Sequence, residues 1–307
     1  MTPASAVSAP VFLAVLGAAL LHASWNALLK RRGEPLPATV LVVAGAACLA
    51  AVLLPLLPAP ARASWAYIAA SSVVQTVYYL LLIATYRHGD VSHAYPLMRG
   101  CAPLLVAVAN GPLTGDRLGG GQWCAMLLIC GGVLVQWFTA RGARAGAASR
   151  ATAAHARDAH TSGARTAGSR TTLFALLTAG VIAAYTLIDG RGVRLSAAPA
   201  AYTLWIFLLT GSAVCLCTLR GRTRALAAFA RANPLVAPLG GLATVGSYGI
   251  ALWAMTRAPV AAVAALRETS ILFATAIAAF VLRERIGRTR LAAVALIACG
   301  AIAMRLA

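Results

Sequence analysis

Long apolar segments alternate with short polar ones along almost the whole chain. Ten of these segments are about 20 residues long and carry few charges, which is enough to cross a bilayer as an α-helix. They cover residues 10–29, 36–57, 65–86, 91–113, 120–139, 172–188, 199–219, 235–256, 260–282 and 288–304. A membrane β-barrel would instead be built from short segments of alternating polarity. The pattern therefore predicts an all-α integral membrane protein with ten transmembrane helices.

The low content of charged residues indicates the same class. Of the 307 residues, 61% are hydrophobic and 11% are charged, whereas a soluble domain has about 25% charged residues. The net charge of +19 raises the alternative of nucleic-acid binding. However, the arginines lie mostly between apolar segments and not on an amphipathic face. Their placement indicates contact with anionic lipid headgroups, and we expect no nucleic-acid partner.

Basic residues are distributed unevenly between the loops. With the loops numbered from the N-terminus, the odd loops hold 18 Lys and Arg residues, and the even loops together with the termini hold 6. Residues 1–9 carry no basic side chain and the basic cluster 30–32 follows the first apolar segment, which is the order of a retained helix and not of a cleaved signal peptide. By the positive-inside rule, the odd loops lie in the cytoplasm and both termini lie outside a cell (inner) membrane that the chain crosses repeatedly.

The longest connection, residues 140–171, separates the fifth and sixth spans. It is rich in Ala, Arg, Ser, Gly and His, and it holds six arginines against one acid, Asp158. Because it shows no apolar period, we expect a disordered basic linker on the cytoplasmic side, facing anionic lipid. The chain then divides into a five-helix repeat at residues 10–139, this linker, and a second five-helix repeat at residues 172–306.

The two repeats resemble each other in sequence. Five spans per copy is an odd number, so the second copy must insert upside down relative to the first. Inverted repeats are characteristic of secondary transporters, whose substrate site lies near the midplane between the copies. The matching positions are Arg99 and Arg267, Gly132 and Gly300, and blocks 116–119 (DRLG) and 284–287 (ERIG), all 168 residues apart; Tyr78 and Tyr248, 170 apart; and His22 and Asn26 with Tyr185 and Asp189, 163 apart.

Three segments carry a resemblance to a known family. Residues 21–30 (LHASWNALLK) resemble the first-helix signature of EamA-type members of the drug/metabolite transporter superfamily. Residues 94–100 (AYPLMRG) resemble its fourth helix, and residues 267–270 (RETS) with Glu284 and Arg285 resemble its ninth. The resemblance covers the whole chain except the linker, which is longer than expected for the family. It implies ten helices in two inverted halves, alternating access, and export or import of small metabolites such as amino acids.

Two arginines lie inside predicted spans, where a charge is costly and commonly functional. Arg99 and Arg267 occupy matching positions of the repeat, and a guanidinium binds a carboxylate or phosphate through two parallel hydrogen bonds. The functional interpretation is that both face one central cavity and bind an anionic group. The alternative is structural, with Glu268 or another helix neutralising Arg267 and backbone carbonyls holding Arg99.

Glu268 is the one acid that the pattern places deep in a span. It has two interpretations. A carboxylate at this depth can take up a proton and couple transport to a proton gradient, or it can serve as a fixed counter-ion.

His22 and Asn26 are four residues apart and share a helix face. They are substrate-binding candidates, with a hydrogen bond between helices as the structural alternative. Their repeat partners Tyr185 and Asp189 hold the same spacing. Asp189 lies near the end of its predicted span, where a position at the membrane interface is the simpler interpretation.

Aromatic residues complete the candidate site. Tyr78 and Tyr248 are expected to bind substrate as a symmetric pair, and Tyr95 is a further candidate. No GxxxxGK[ST] loop is present, which argues against ATP-driven pumping by this chain. We expect no cofactor and no metal.

The leading function is secondary transport of a small organic metabolite, amino-acid-like or anionic, by alternating access and in the efflux direction. One alternative is a multidrug or organic-cation exporter, which would need an acid-rich aromatic cavity. Another is a membrane-embedded lipid-processing enzyme, but His22, Asp189 and Glu268 show no catalytic spacing, so we expect no enzyme. The expected partners are a small-molecule substrate and the lipid bilayer, with a homodimer left open.

Overall fold

The structure is a computed structural model that describes residues 7–30, 35–88, 91–154, 162–219, 223–281, 283 and 286–307. Within these ranges the regular structure is entirely helical. The α-helices are α1 Ala9–Lys30, α2 Pro35–Leu53, α3 Trp65–His88, α4 Val91–Thr114, α5 Gly120–Ala154, α6 Ser162–Ser196, α7 Pro199–Leu219, α8 Thr223–Ala232, α9 Val236–Met255, α10 Val260–Leu266, α11 Ser270–Phe280 and α12 Arg288–Leu306. Short 3-10 turns cover Leu54–Leu56, Arg62–Ser64 and Arg267–Thr269.

Nine helical stretches of the described chain are long and apolar enough to cross a membrane. They correspond to nine of the ten predicted spans, and they make this a multi-pass membrane protein. The remaining predicted span, residues 91–113, forms the 24-residue helix α4 but is not among the nine. This helix carries Arg99 and three internal prolines, which lower its mean hydropathy. The total of ten therefore stays a prediction.

The linker is more helical than the sequence led us to expect. α5 continues to Ala154 and α6 begins at Ser162, so the expectation of a segment without regular structure is wrong for residues 140–154 and 162–171. Alanine and arginine, which dominate this segment, are among the best helix formers, and no proline interrupts them. Residues 155–161, including Asp158, lie outside the described part of the chain.

Two predicted spans have a different shape from the one expected. The sixth was expected to end at residue 188, but α6 runs on to Ser196, which places Asp189 inside the helix. The ninth was expected to be one continuous helix, but it is broken into α10, the turn Arg267–Thr269, and α11. This broken span, Val260–Phe280, has 61% of its residues buried, the largest share among the nine candidate spans.

Helix packing relates the two halves of the chain. Each helix of the first half has a counterpart in the second half with corresponding packing partners. The counterparts are α1 and α6, α2 and α7, α3 and α9, α4 and the broken helix α10–α11, and α5 and α12. For example, α1 packs against α9 as α6 packs against α3, whereas the α5–α12 and α2–α7 contacts map onto themselves. The principal contacts are α1 with α9 and α11, α2 with α7 and α9, α3 with α6 and α7, α4 with α5 and α6, and α5 with α12.

The α5–α12 crossing brings the predicted repeat partners Gly132 and Gly300 into matching positions. A Cβ atom on Gly132 would lie 2.8 Å from the carbonyl oxygen of Ala293, and one on Gly300 would lie 2.8 Å from that of Ala125. Ala125 and Ala293 are themselves 168 residues apart. The crossing is thus locally two-fold symmetric, and it depends on small residues that let the two backbones approach closely.

One ion pair ties both halves together at the end of α6. The Arg194 guanidinium donates to both carboxylate oxygens of Asp116, at 3.0 and 2.7 Å. It also donates to the backbone carbonyls of Met255 at 2.8 Å and Ala258 at 3.0 Å. Arg194 therefore joins the α4–α5 connection of the first half to the α9–α10 connection of the second.

Candidate substrate site

Arg99 and Glu268 form an ion pair between α4 and the turn that breaks the ninth span. The Nε atom of Arg99 lies 2.9 Å from Oε2 of Glu268, and their side chains are only 14% and 5% exposed. The Arg99 guanidinium also donates to the carbonyl of Arg267 and to Oγ of Ser270, both at 3.4 Å. Glu268 thus pairs with the arginine of the other half and not with its sequence neighbour. The positive charge of Arg99 is balanced inside the protein.

Arg267 has a different environment. Its guanidinium carbon lies over the ring of Tyr248, 5.0 Å from the ring centroid, where the negative face of the aromatic ring attracts a cation. Among the described residues no carboxylate lies at ion-pair distance from it. The cation of Arg267 therefore has an aromatic partner but no described acidic one.

A small cavity of about 20 Å³ lies between α4, α6 and the broken ninth span. Both arginines and Glu268 line it, together with Tyr185 and Thr186 of α6. The rest of its wall is apolar and comes from Ala102, Pro103, Val106, Ile182 and Ala264. A small polar group entering this cavity would meet two guanidinium groups and one carboxylate beside this apolar wall.

Tyrosine rings continue from the cavity towards α3 and α9. The ring of Tyr185 lies edge-on to Tyr78 at 5.8 Å and to Tyr248 at 6.2 Å between centroids. Tyr79 adds a fourth ring, 5.1 Å from Tyr78. The predicted symmetric pair, Tyr78 and Tyr248, therefore contacts a shared ring on α6, and that ring reaches the cavity.

Asp189 lies behind this cluster and is fully buried. Its carboxylate accepts hydrogen bonds from Nε2 of Gln75 at 3.0 Å, from the hydroxyl of Tyr202 at 3.1 Å, and from the hydroxyl of Tyr248. These donors come from three different helices, α3, α7 and α9. Tyr248 therefore joins Asp189 through its hydroxyl to Arg267 through its ring.

Comparison with known proteins identifies the family. The model of the EamA-like transporter family matches residues 9–138 and again residues 170–306. The chain belongs to the EamA-like transporter family. The resemblance noted in the sequence is therefore confirmed, and the protein is a membrane transporter of the drug/metabolite transporter superfamily. Members of this family are transporters and not enzymes.

The fold is shared with solved structures. A protein described only as a crystal structure aligns with this EamA-like chain at a TM-score of 0.67 and 18% sequence identity. The alignment covers 97% of this chain and 98% of the other. At this identity the likeness concerns the fold alone. The comparison with curated proteins gives no match.

Five candidates of this EamA-like transporter are not among the residues that line the cavity. Tyr78 and Tyr248 contact the ring of Tyr185, which does line it, and the other three are Asn26, His22 and Tyr95. The Asn26 side chain donates to the carbonyl of His22 in its own helix at 2.7 Å, a local bond that polar side chains commonly make. The His22 ring lies edge-on to Trp25 at 5.8 Å. Tyr95 packs against an apolar cluster that contains Trp137. The role of all three in substrate binding stays a prediction.

Two residues of the site were underrated by the sequence interpretation. Tyr185 entered only as the repeat partner of His22, although it lines the cavity. Asp189 was interpreted as interfacial, which is wrong because its side chain is fully buried within α6. The available signal was their spacing of four residues, which places both on one helix face. The sequence after Asp189, Gly-Arg-Gly, had suggested a helix end.

Proposed function

We propose that this EamA-like protein transports a small organic metabolite, amino-acid-like or anionic, with a carboxylate or phosphate bound by Arg267. The observation that carries the proposal is the charge balance of the cavity. Two guanidinium groups line it, and Glu268 is the acid among its lining residues. Because Glu268 pairs with Arg99 at 2.9 Å, Arg267 has no direct counter-ion among the residues that line the cavity, and its guanidinium is available to an incoming anion.

Burial makes this imbalance energetically significant. A cation taken out of water without a partner is strongly disfavoured, and a planar guanidinium is matched in geometry to two oxygens of a carboxylate or phosphate. The adjacent tyrosine rings offer an apolar and aromatic surface to the remainder of the substrate. This combination suits an amino-acid-like molecule or an organic acid better than an inorganic ion.

The cavity disfavours the alternative of an organic-cation exporter. Cation recognition requires an acid that is free to face the substrate, and Glu268 is engaged by Arg99. A substrate cation would also meet the positive charge of Arg267. We therefore place an organic cation second among the substrate classes.

We further propose alternating access between two inverted five-helix repeats, with efflux as the direction of transport. The exchange of packing partners between the halves supports the repeat, and the broken ninth span supports a site at the repeat interface. Broken helices at such an interface are a recurrent feature of secondary transporters. Both termini lie outside the cell membrane in this proposal, and the linker lies in the cytoplasm.

A substrate screen tests the proposed function. Purified protein in liposomes is preloaded and screened for counterflow with labelled amino acids, organic acids, sugar phosphates and organic cations. We expect exchange of compounds that carry a carboxylate or phosphate, and little exchange of cations. Exchange restricted to cations would contradict the proposal, and protein-free liposomes give the background.

Orientation has a separate test. Because 18 basic residues lie in the odd loops against 6 elsewhere outside the spans, a fluorescent reporter that matures only in the cytoplasm should stay dark when fused after Arg305. The same reporter fused after Asp158 in the linker should be bright and serves as the control. The reverse pattern would invert the proposed topology.

A further inference from the structure

Asp189 is a buried carboxylate with neutral hydrogen-bond donors. Its donors are the amide of Gln75 and the hydroxyls of Ser71, Tyr202 and Tyr248. Within the described chain, no arginine, lysine or histidine forms an ion pair with it. A carboxylate held only by neutral donors can exist with or without its proton, because no ion-pair partner in direct contact fixes it in the ionised form.

Apart from Arg267, whose guanidinium lies over the ring of Tyr248, the charged groups around α6 are engaged elsewhere. On α6 itself Arg194 pairs with Asp116 and Arg191 donates to the carbonyl of Leu113 at 2.8 Å. On the elements packed against α6, Arg99 pairs with Glu268 and Arg62 is exposed. The remaining titratable groups near this part of α6 are the tyrosines Tyr67, Tyr78, Tyr79, Tyr185, Tyr202 and Tyr248. Of these, Tyr202 and Tyr248 donate to Asp189.

Glu268 is held differently, and this separates the two acids. The Arg99 guanidinium at 2.9 Å favours the ionised form of Glu268 and links two halves of the fold. A proton on Glu268 would break that ion pair and leave Arg99 buried without its partner. Asp189 can be protonated with no such loss, because each of its donors is a neutral hydroxyl or amide.

Tyr248 provides the connection between Asp189 and the cavity. Its hydroxyl donates to Asp189 while its ring lies under the Arg267 guanidinium. When Asp189 is ionised, its negative charge acts on Arg267 across a single tyrosine. When Asp189 takes up a proton, Arg267 loses that stabilisation and attracts an anion more strongly.

The buried charges set the stoichiometry of this coupling. Arg99, Arg267, Glu268 and Asp189 sum to zero when all are ionised. An anion entering alone would leave one uncompensated negative charge in a low-dielectric interior, which is costly. An anion that enters together with one proton leaves the total at zero.

We propose that Asp189 is the proton-binding residue of this transporter, and that one proton binds at its carboxylate together with each monoanion bound at Arg267. The coupling part of the inference rests on the proposed function, whereas the proton site itself does not. The proton comes from the aqueous phase and returns to it when the anion leaves. Proton and anion then cross together, and their combined gradients set the direction, which accommodates efflux of an accumulated metabolic acid.

The first test detects the proton on Asp189 without any substrate. Infrared difference spectra of the protein in liposomes, recorded as the pH is lowered, should show the carbonyl band of a protonated buried carboxyl group. We expect Asp189→Asn to lack this band and Glu268→Gln to keep it. A band that persists in Asp189→Asn, or is lost in Glu268→Gln, would overturn the assignment.

Tyr248→Phe is a second variant that tests the same proposal if Asp189→Asn does not fold. It keeps the ring under Arg267 but removes one donor from the ionised carboxylate, so the midpoint of the band should move to higher pH. Tyr79→Phe is the matched control, because Tyr79 is not a donor to Asp189, and its midpoint should stay in place. An unchanged midpoint in Tyr248→Phe would contradict the proposal.

The second test measures the coupling between Asp189 and Arg267. Removing the cation in Arg267→Gln should move the midpoint of the Asp189 band to higher pH, because a nearby cation favours the ionised carboxylate. Arg257→Gln is the matched control, since Arg257 lies over the ring of Trp253 at 5.4 Å. An unchanged midpoint in Arg267→Gln would overturn the coupling.

These tests separate failure of the inference from failure of the proposed function. The infrared band is read with no substrate present, so absence of anion exchange in the liposome screen removes the proposed function without altering this result. Conversely, intact anion exchange with no protonation band at Asp189 removes only the proton site.

Discussion

Replacing Arg267 with glutamine should abolish exchange of an anionic substrate while the protein still inserts and stays folded. Truncating one partner of a buried charge pair costs about 2–5 kcal/mol, which corresponds to roughly 30-fold to several thousand-fold in affinity. Arg267→Lys keeps the charge but loses the planar two-point geometry, so we expect an intermediate loss of affinity. Counterflow in liposomes measures both variants.

Arg99 should respond differently to the same change. Arg99→Gln leaves Glu268 buried without its ion-pair partner, and such a break destabilises a protein by about 3–5 kcal/mol. We therefore expect a lower apparent melting temperature, with the double variant Arg99→Gln/Glu268→Gln recovering part of it. The sequence offered both arginines as substrate ligands, whereas the ion pair with Glu268 directs that expectation to Arg267.

Arg257→Gln is the control for the loss of an arginine over an aromatic ring, and its exchange activity should match that of the wild type. Near-normal counterflow in Arg267→Gln would remove the anion-binding hypothesis. An Arg99→Gln protein of wild-type stability that exchanges no substrate would instead overturn the assignment to Arg267 and transfer the ligand role to Arg99.

Adding one methyl group at the α5–α12 crossing should destabilise the protein markedly. In Gly132→Ala the new Cβ would lie 2.8 Å from the backbone oxygen of Ala293 and 2.7 Å from Cγ1 of Ile297. A backbone atom cannot move aside as a flexible side chain can, so the helices must separate. Overpacking of this kind costs about 1–3 kcal/mol, and Gly300→Ala should behave alike because its surroundings match.

Gly131→Ala is the adjacent control, since a Cβ there would meet nothing within 4 Å. We expect it to be neutral or to gain up to about 1 kcal/mol from the higher helix propensity of alanine. The two variants are compared by their apparent melting temperatures in detergent, measured from size-exclusion profiles. Equal melting temperatures for Gly131→Ala and Gly132→Ala would show that the close crossing is absent in solution.

The candidate site could be predicted only in part. Arg99, Arg267 and Glu268 were expected because a charge inside an apolar span stands out in the sequence, and all three line one cavity. Asp189 was misjudged because the following Gly190, Arg191 and Gly192 have the composition of a loop. The polar residues are accommodated in the structure, where Arg191 and Arg194 reach carbonyl oxygens of other elements.

The sequence by itself determined the membrane class, nine of the spans and the EamA-like family. Each span depends on the transfer of about 20 consecutive side chains into lipid, which is a local property that adds up along the chain. The internal repeat was also detectable in the sequence, and it predicted that Gly132 and Gly300 would occupy equivalent positions. The alanines of the linker favour a helix, but the sequence interpretation gave more weight to the absence of an apolar period and therefore predicted disorder.

The tertiary structure alone decided which charges meet. Glu268 follows Arg267 in the chain, yet it pairs with Arg99 on a helix of the other half. Asp189 acquires its donors from α3, α7 and α9. Of these helices, only α7 is next to α6 in the sequence. Sequence spacing fixes the direction of a side chain around its own helix, whereas its partner depends on how the helices cross and on the break at Arg267–Thr269. Pairing of buried charges is therefore a property of the packed bundle and not of any single span.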